Sequence, residues 1–130
     1  MKSLYESIGG EARVRDVLQT LYDRLFDDPI VGFLFQGKDK ARIVEQQLAF
    51  TCQFLGGPQI YEGTPLPKVH APLPLLPGHF DRRHRLLEQV LDDCNVPADV
   101  KRVWLPIDQA LRPSVLASAE EAREKTRRPG

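Results

Sequence analysis

Two cysteines, one tryptophan, one methionine and three histidines are all that this chain of 130 residues contains of those types. Each shortage excludes something. Cys52 and Cys94 are too few for a disulfide scaffold, and both fall inside helical patterns, so two free thiols are expected. Lys plus Arg, 18, equals Asp plus Glu, 18, which removes the electrostatic basis for a nucleic-acid or anionic-membrane partner. No apolar run approaches the roughly 20 residues that cross a bilayer. The opening Met-Lys-Ser-Leu-Tyr-Glu-Ser lacks a signal peptide's apolar stretch, so the cytoplasm is the expected location. There is no Cys-x-x-Cys for zinc, and no Gly-x-Ser-x-Gly for a serine nucleophile. Gly56-Gly57-Pro58 follows a helical pattern instead of opening one, so it is no phosphate loop. Strand-like alternation is missing as well.

Helical periodicity is what the chain has. Val14, Val17, Leu18, Leu21, Tyr22, Leu25 and Phe26 recur at helical spacing and make one apolar face. Asp27-Asp28-Pro29 ends that helix, and Asp28 can cap a short piece running from Ile30 to Phe35. A second long helix is predicted from about Ala41 to Leu55. It carries two stripes, Ile43–Gln47–Phe50–Phe54 and Val44–Leu48–Leu55, and so meets more than one neighbour. A third is predicted from Pro77 to about Cys94. A fourth starts near Ala98, with a kink expected at Pro106. The charged stretch from residue 119 to 130 reads as a frayed, solvated tail on a domain of residues 1–118. The fold class is all-α: four substantial helices in two consecutive pairs, with an irregular segment between the pairs.

That segment holds the most distinctive residue. His70 lies between Pro67 and Pro72 in a stretch rich in proline and in apolar side chains, which leaves room for at most one helical turn. A rigid perch for one imidazole suits an axial metal ligand. His79 and His84 are five residues apart and face different ways, and His70 has no companion at zinc-ligand spacing. A lone histidine fits a macrocycle that supplies the other four ligands, which is haem. Three polar residues also interrupt apolar faces. Gln47 stands in the Ile43–Phe54 stripe and Tyr22 on the inner face of its helix, and together they would make a donor pair in an apolar cavity. Arg83 lies on the Phe80–Leu87 stripe, and its long stem is expected to carry the charge outward to a surface ion pair. His84 is expected at the boundary.

The residues resemble the truncated haemoglobins, most closely the group I branch. Tyr5-Glu-Ser-Ile8-Gly9-Gly10, Tyr22-Asp-Arg24 through Asp28-Pro29, Gly56-Gly57-Pro58 before Tyr61-x-Gly63, and His70 followed by His79-Phe80-Asp81 match that family's pattern in order and spacing over about residues 4–116. The resemblance implies a two-on-two helical sandwich around one haem b. It implies His70 as the proximal iron ligand, and Tyr22 and Gln47 as ligand-stabilising groups on the opposite side, with Gln46 beside them. Phe35, Ile43, Phe50, Leu66 and Phe80 would line the haem, and Tyr61 and Lys68 would serve its propionates. Where Arg83 stands, the family usually has a small apolar residue. The implied function is reversible binding of O2, NO and CO by a monomer or weak dimer. It extends to nitric oxide dioxygenation with an external reductase. A haem-based sensor or electron-transfer module without turnover is the alternative.

Overall fold

The computed structural model describes residues 2–58 and 75–127, and the expected haem contacts His70, Tyr61, Leu66 and Lys68 lie outside the described residues. In chain order the elements are α1 (Leu4–Ile8), α2 (Glu11–Asp27), a 3-10 turn (Gly32–Phe35), α3 (Lys40–Phe54), α4 (Pro77–Asp93), α5 (Ala98–Ala110) and α6 (Arg112–Arg127). Among the described residues there is no strand. The helix pairs foreseen from periodicity are present: α2 packs on α3 and also on α4, and α4 packs on α5.

Helix α1 is short because Gly9 adopts φ 111°, a left-handed turn that only glycine takes at no steric cost. Helix α2 buries Val14, Val17, Leu18, Leu21, Tyr22 and Leu25, none more than 2 % exposed. Each large aliphatic so buried contributes roughly 1.5–3 kcal/mol. The helix stops at Asp28 because the following Pro29 disfavours helical backbone in the residue before it, and Asp28 sits at ψ 132°.

Asp28 then ties three elements together. Its carboxylate accepts the backbone N–H of Ile30 and Val31 at 3.0 and 3.1 Å, which starts the turn toward Gly32. It also accepts from Arg82 of α4, with Nη2 at 2.6 Å. The Arg82 guanidinium, helped by those backbone donors, holds the carboxyl below its usual range. At Gly32 an added Cβ would lie 2.7 Å from the Phe26 carbonyl oxygen, so the chain can pass this close only without a side chain. The close passage brings Phe35 inward, where its ring stacks on Phe26 at 4.9 Å and meets Tyr22 edge-on at 6.3 Å.

Helix α3 is capped by the Asp39 carboxylate, which accepts from Arg42 N at 3.2 Å. Its far end is tied to α1 by Tyr5 N donating to the Leu55 carbonyl at 2.9 Å. Helix α4 opens with Pro77, where a missing N–H costs nothing. The Leu76 N–H donates to Nδ1 of His79 at 3.1 Å. Cys52 and Cys94 are free. Burial pushes the Cys52 thiol up to about 11, which leaves it inert at neutral pH.

Pro106 lies inside helix α5, as the sequence led one to expect, and the helix runs on to Ala110 with Leu111 as its C-cap. Pro106 is exposed, so the carbonyl it leaves unbonded is open to solvent. Pro113 falls in the first turn of the next helix, a place proline favours, and so α6 restarts there. The first half of α6 is anchored by Val115 and Ala119, 2 % and 0 % exposed, and the helix runs on to Arg127.

Candidate functional site

Three buried polar side chains have atoms without hydrogen-bond partners among the described residues: Tyr22 Oη, Gln47 Nε2 and Arg83 Nε. They come from three different helices, α2, α3 and α4. Tyr22 is 0 %, Gln47 4 % and Arg83 8 % exposed, so solvent does not satisfy them. A buried donor left unpaired costs roughly 1–3 kcal/mol, and native proteins keep few of them. Arg83 links the group. Its guanidinium lies beside the Tyr22 hydroxyl, which helps to keep it charged. With Gln47 it lines a narrow pocket of about 10 Å³ that also touches Phe50, Thr51, Trp104 and Asp108.

The expectation that Arg83 would reach the surface is overturned. It points inward because α5 presents Asp108, 5 % exposed, whose Oδ1 accepts from Arg83 Nη1 at 2.6 Å. Burial works against the charge on Arg83, but the Asp108 carboxylate outweighs it and raises the guanidinium pKa further. Burial likewise works against the Asp108 carboxylate, and Arg83 with His84 reverses this and lowers its pKa. His84 Nδ1 lies 2.7 Å from Asp108 Oδ2, and its Nε2 lies 3.6 Å from Glu88. The bond to Asp108 raises the His84 pKa against the opposing effect of burial.

Because the folded His84 pKa lies above the unfolded value, its pairing stabilises fully below about pH 6.5. That stabilisation is lost as pH rises through the folded value. Asp108 has the opposite sign, its contribution fading only as pH falls below the ordinary carboxylate range. His84→Gln is therefore expected to lower the thermal midpoint most near pH 5–6 and progressively less in alkaline buffer, as read by melting curves across that range. A deficit independent of pH would show that His84 is not charged in the pair.

The other residues singled out in the sequence divide clearly. Phe35 and Phe80 are buried, at 4 % and 2 % exposure. Ile43, Gln46 and Phe50 are half-buried on α3, where they border the interior without filling it. Asp108 escaped sequence reading altogether. The signal was available: it stands four residues after Trp104, on the same apolar face, and Arg83 and His84 are two cations breaking the pattern of a neighbouring helix.

The family model described as bacterial-like globin matches residues 3–116. The group 1 truncated hemoglobin GlbN of Nostoc sp. is 37 % identical over 81 residues, 62 % of this chain and 69 % of that protein. GlbN of Synechocystis sp. is 30 % identical over 104 residues, 77 % of this chain and 84 % of that protein. The crystal structure of the 2/2 hemoglobin from Synechococcus sp., in the cyanomet state and with covalently attached heme, superposes with a TM-score of 0.81 at 28 % identity, covering 89 % of this chain and 99 % of that one. The chain belongs to the truncated haemoglobins, whose cofactor is haem b and whose function is haem-based gas binding. Among the described residues no helix is long and apolar enough to cross a membrane.

Proposed function

We propose that this chain binds O2, NO and CO reversibly at a haem iron held by His70, with Tyr22 and Gln47 donating to the ligand from the opposite side. One observation carries the reading. The Tyr22 hydroxyl and the Gln47 amide nitrogen are both buried and both without partners among the described residues. A sequence that only needed to fill a core would place phenylalanine and leucine there and avoid both penalties. Donors kept at that cost fit a polar ligand that accepts from them.

Haem, when bound, supplies an iron with an open coordination position for a diatomic gas. His70 would hold it through one ring nitrogen, and the other would donate to a backbone carbonyl and fix the tautomer. On the ligand side Tyr22 O–H and Gln47 N–H donate to the polar end of the diatomic. Phe35 and Phe80 keep water out, and in a dry pocket such hydrogen bonds are stronger than in water. Ile43, Phe50 and Leu66 complete the apolar wall, Gln46 stands near the donors, and Tyr61 and Lys68 serve the propionates. Given an external reductase as electron donor, the same residues would also suit nitric oxide dioxygenation.

Titration of the purified chain with haem tests the reading. The expected result is a one-to-one complex whose ferrous spectrum shifts on adding carbon monoxide, and whose iron spectrum is lost or altered in His70→Ala. A folded chain that takes up no haem would sink the proposal. A six-coordinate ferrous spectrum without added ligand would instead favour the sensor or electron-transfer alternative.

A further inference from the structure

Tyr22 and Gln47 suffice for a neutral diatomic, yet a third buried donor stands beside them. Arg83 is fixed from one side only. Asp108 takes Nη1 at 2.6 Å, while Nε has no partner among the described residues and the guanidinium borders both the Tyr22 hydroxyl and the Gln47 pocket. The contact with the Phe80 ring, 6.0 Å from the guanidinium carbon, adds a further constraint on its position. A guanidinium held this way cannot swing to solvent, and its free N–H stays directed within the protein.

The charges around it are uneven. Arg83 and His84 share one buried carboxylate, Asp108, on its two oxygens. Glu88 answers His84 from the solvent side, where its side chain is 40 % exposed and its charge is well screened. The interior of the cluster therefore leans positive toward Tyr22. Carbon monoxide, which gathers little charge, gains little from such a field, but an anion gains from both the charge and the N–H, because charge-assisted hydrogen bonds are roughly twice as strong as neutral ones.

We infer that Arg83, beside Tyr22, determines ligand specificity at this site, biasing the ligand side of the haem toward small inorganic monoanions over neutral gases beyond what the iron alone provides. This rests on the haem reading above, and haem uptake with a carbon monoxide shift tests that reading separately. The probe here is fluoride, a compact anion that accepts hydrogen bonds and whose binding to ferric haem is read from the visible spectrum. Carbon monoxide affinity is measured in parallel as the neutral control.

Arg83→Leu combined with Asp108→Leu removes the donor and its counter-charge together, and His84 keeps its contact with Glu88. This variant is expected to weaken fluoride binding at least about tenfold, the scale of one charge-assisted hydrogen bond, and to weaken it more than it changes carbon monoxide affinity. The infrared C–O stretch of its carbon monoxide complex should rise as the positive field is lost. Tyr22→Phe leaves the ion pair intact and is expected to retain part of the fluoride affinity through Arg83. Fluoride affinity unchanged in the double variant, an equal fall for fluoride and carbon monoxide, or complete loss of fluoride binding in Tyr22→Phe would each overturn the assignment.

Discussion

Asp108→Ala is expected to destabilise the protein by about 3–5 kcal/mol, the range measured when one partner of a buried ion pair is removed. The magnitude follows from what the substitution leaves behind. Arg83, 8 % exposed, keeps its charge because arginine does not deprotonate in proteins. It would then sit buried with no counter-ion, and His84 would lose the carboxylate that its Nδ1 meets at 2.7 Å. Denaturant midpoints give the measurement, and a double-mutant cycle gives its interpretation. Arg83→Leu with Asp108→Leu is expected to cost clearly less than the single variant, since apolar residues of similar volume commonly replace a buried pair without loss and only the His84 contact is forfeited. A single variant costing less than about 1 kcal/mol would mean that Arg83 escapes to solvent once released, and that the buried arrangement is weakly enforced.

Tyr22→Phe is expected to speed oxygen release from the ferrous protein by one to two orders of magnitude, if its hydrogen bond to the ligand is worth roughly 1.5–3 kcal/mol. The same substitution should cost little folding stability, because Arg83, the hydroxyl's polar neighbour, keeps its bond to Asp108. The two readouts separate function from structure. A core tyrosine bonded within the protein would lose stability and leave the release rate alone. Stopped-flow displacement of oxygen and thermal melts of the same preparations make the comparison. An unaltered release rate would remove Tyr22 from the ligand site.

Much of this was legible in the sequence. The three- and four-residue spacing located the helices of both pairs, because each buries an apolar face that repeats at helical period. Tyr22 and Gln47 were visible as polar residues on such stripes, and both are buried. Other parts were not legible. Whether Arg83 turns in or out depends on a partner 25 positions away on another helix, and no local pattern carries that information. The restart of the chain as a further helix after Leu111 was not foreseen: Pro113 falls in its first turn, a place that proline favours. Of the expected haem contacts, His70, Tyr61, Leu66 and Lys68 lie outside the described residues.

The scarcity of tryptophan has a practical sequel. Trp104 is the chain's sole tryptophan, 3 % exposed, set edge-to-face against Phe54 at 6.0 Å, and it lines the same pocket as Gln47 and Arg83. All of the indole emission therefore comes from one buried fluorophore beside Gln47 and Arg83. A bound porphyrin absorbs where indole emits and drains its excited state, so the protein carries its own optical gauge of cofactor occupancy, and loss and uptake can be followed at submicromolar concentration without any attached dye.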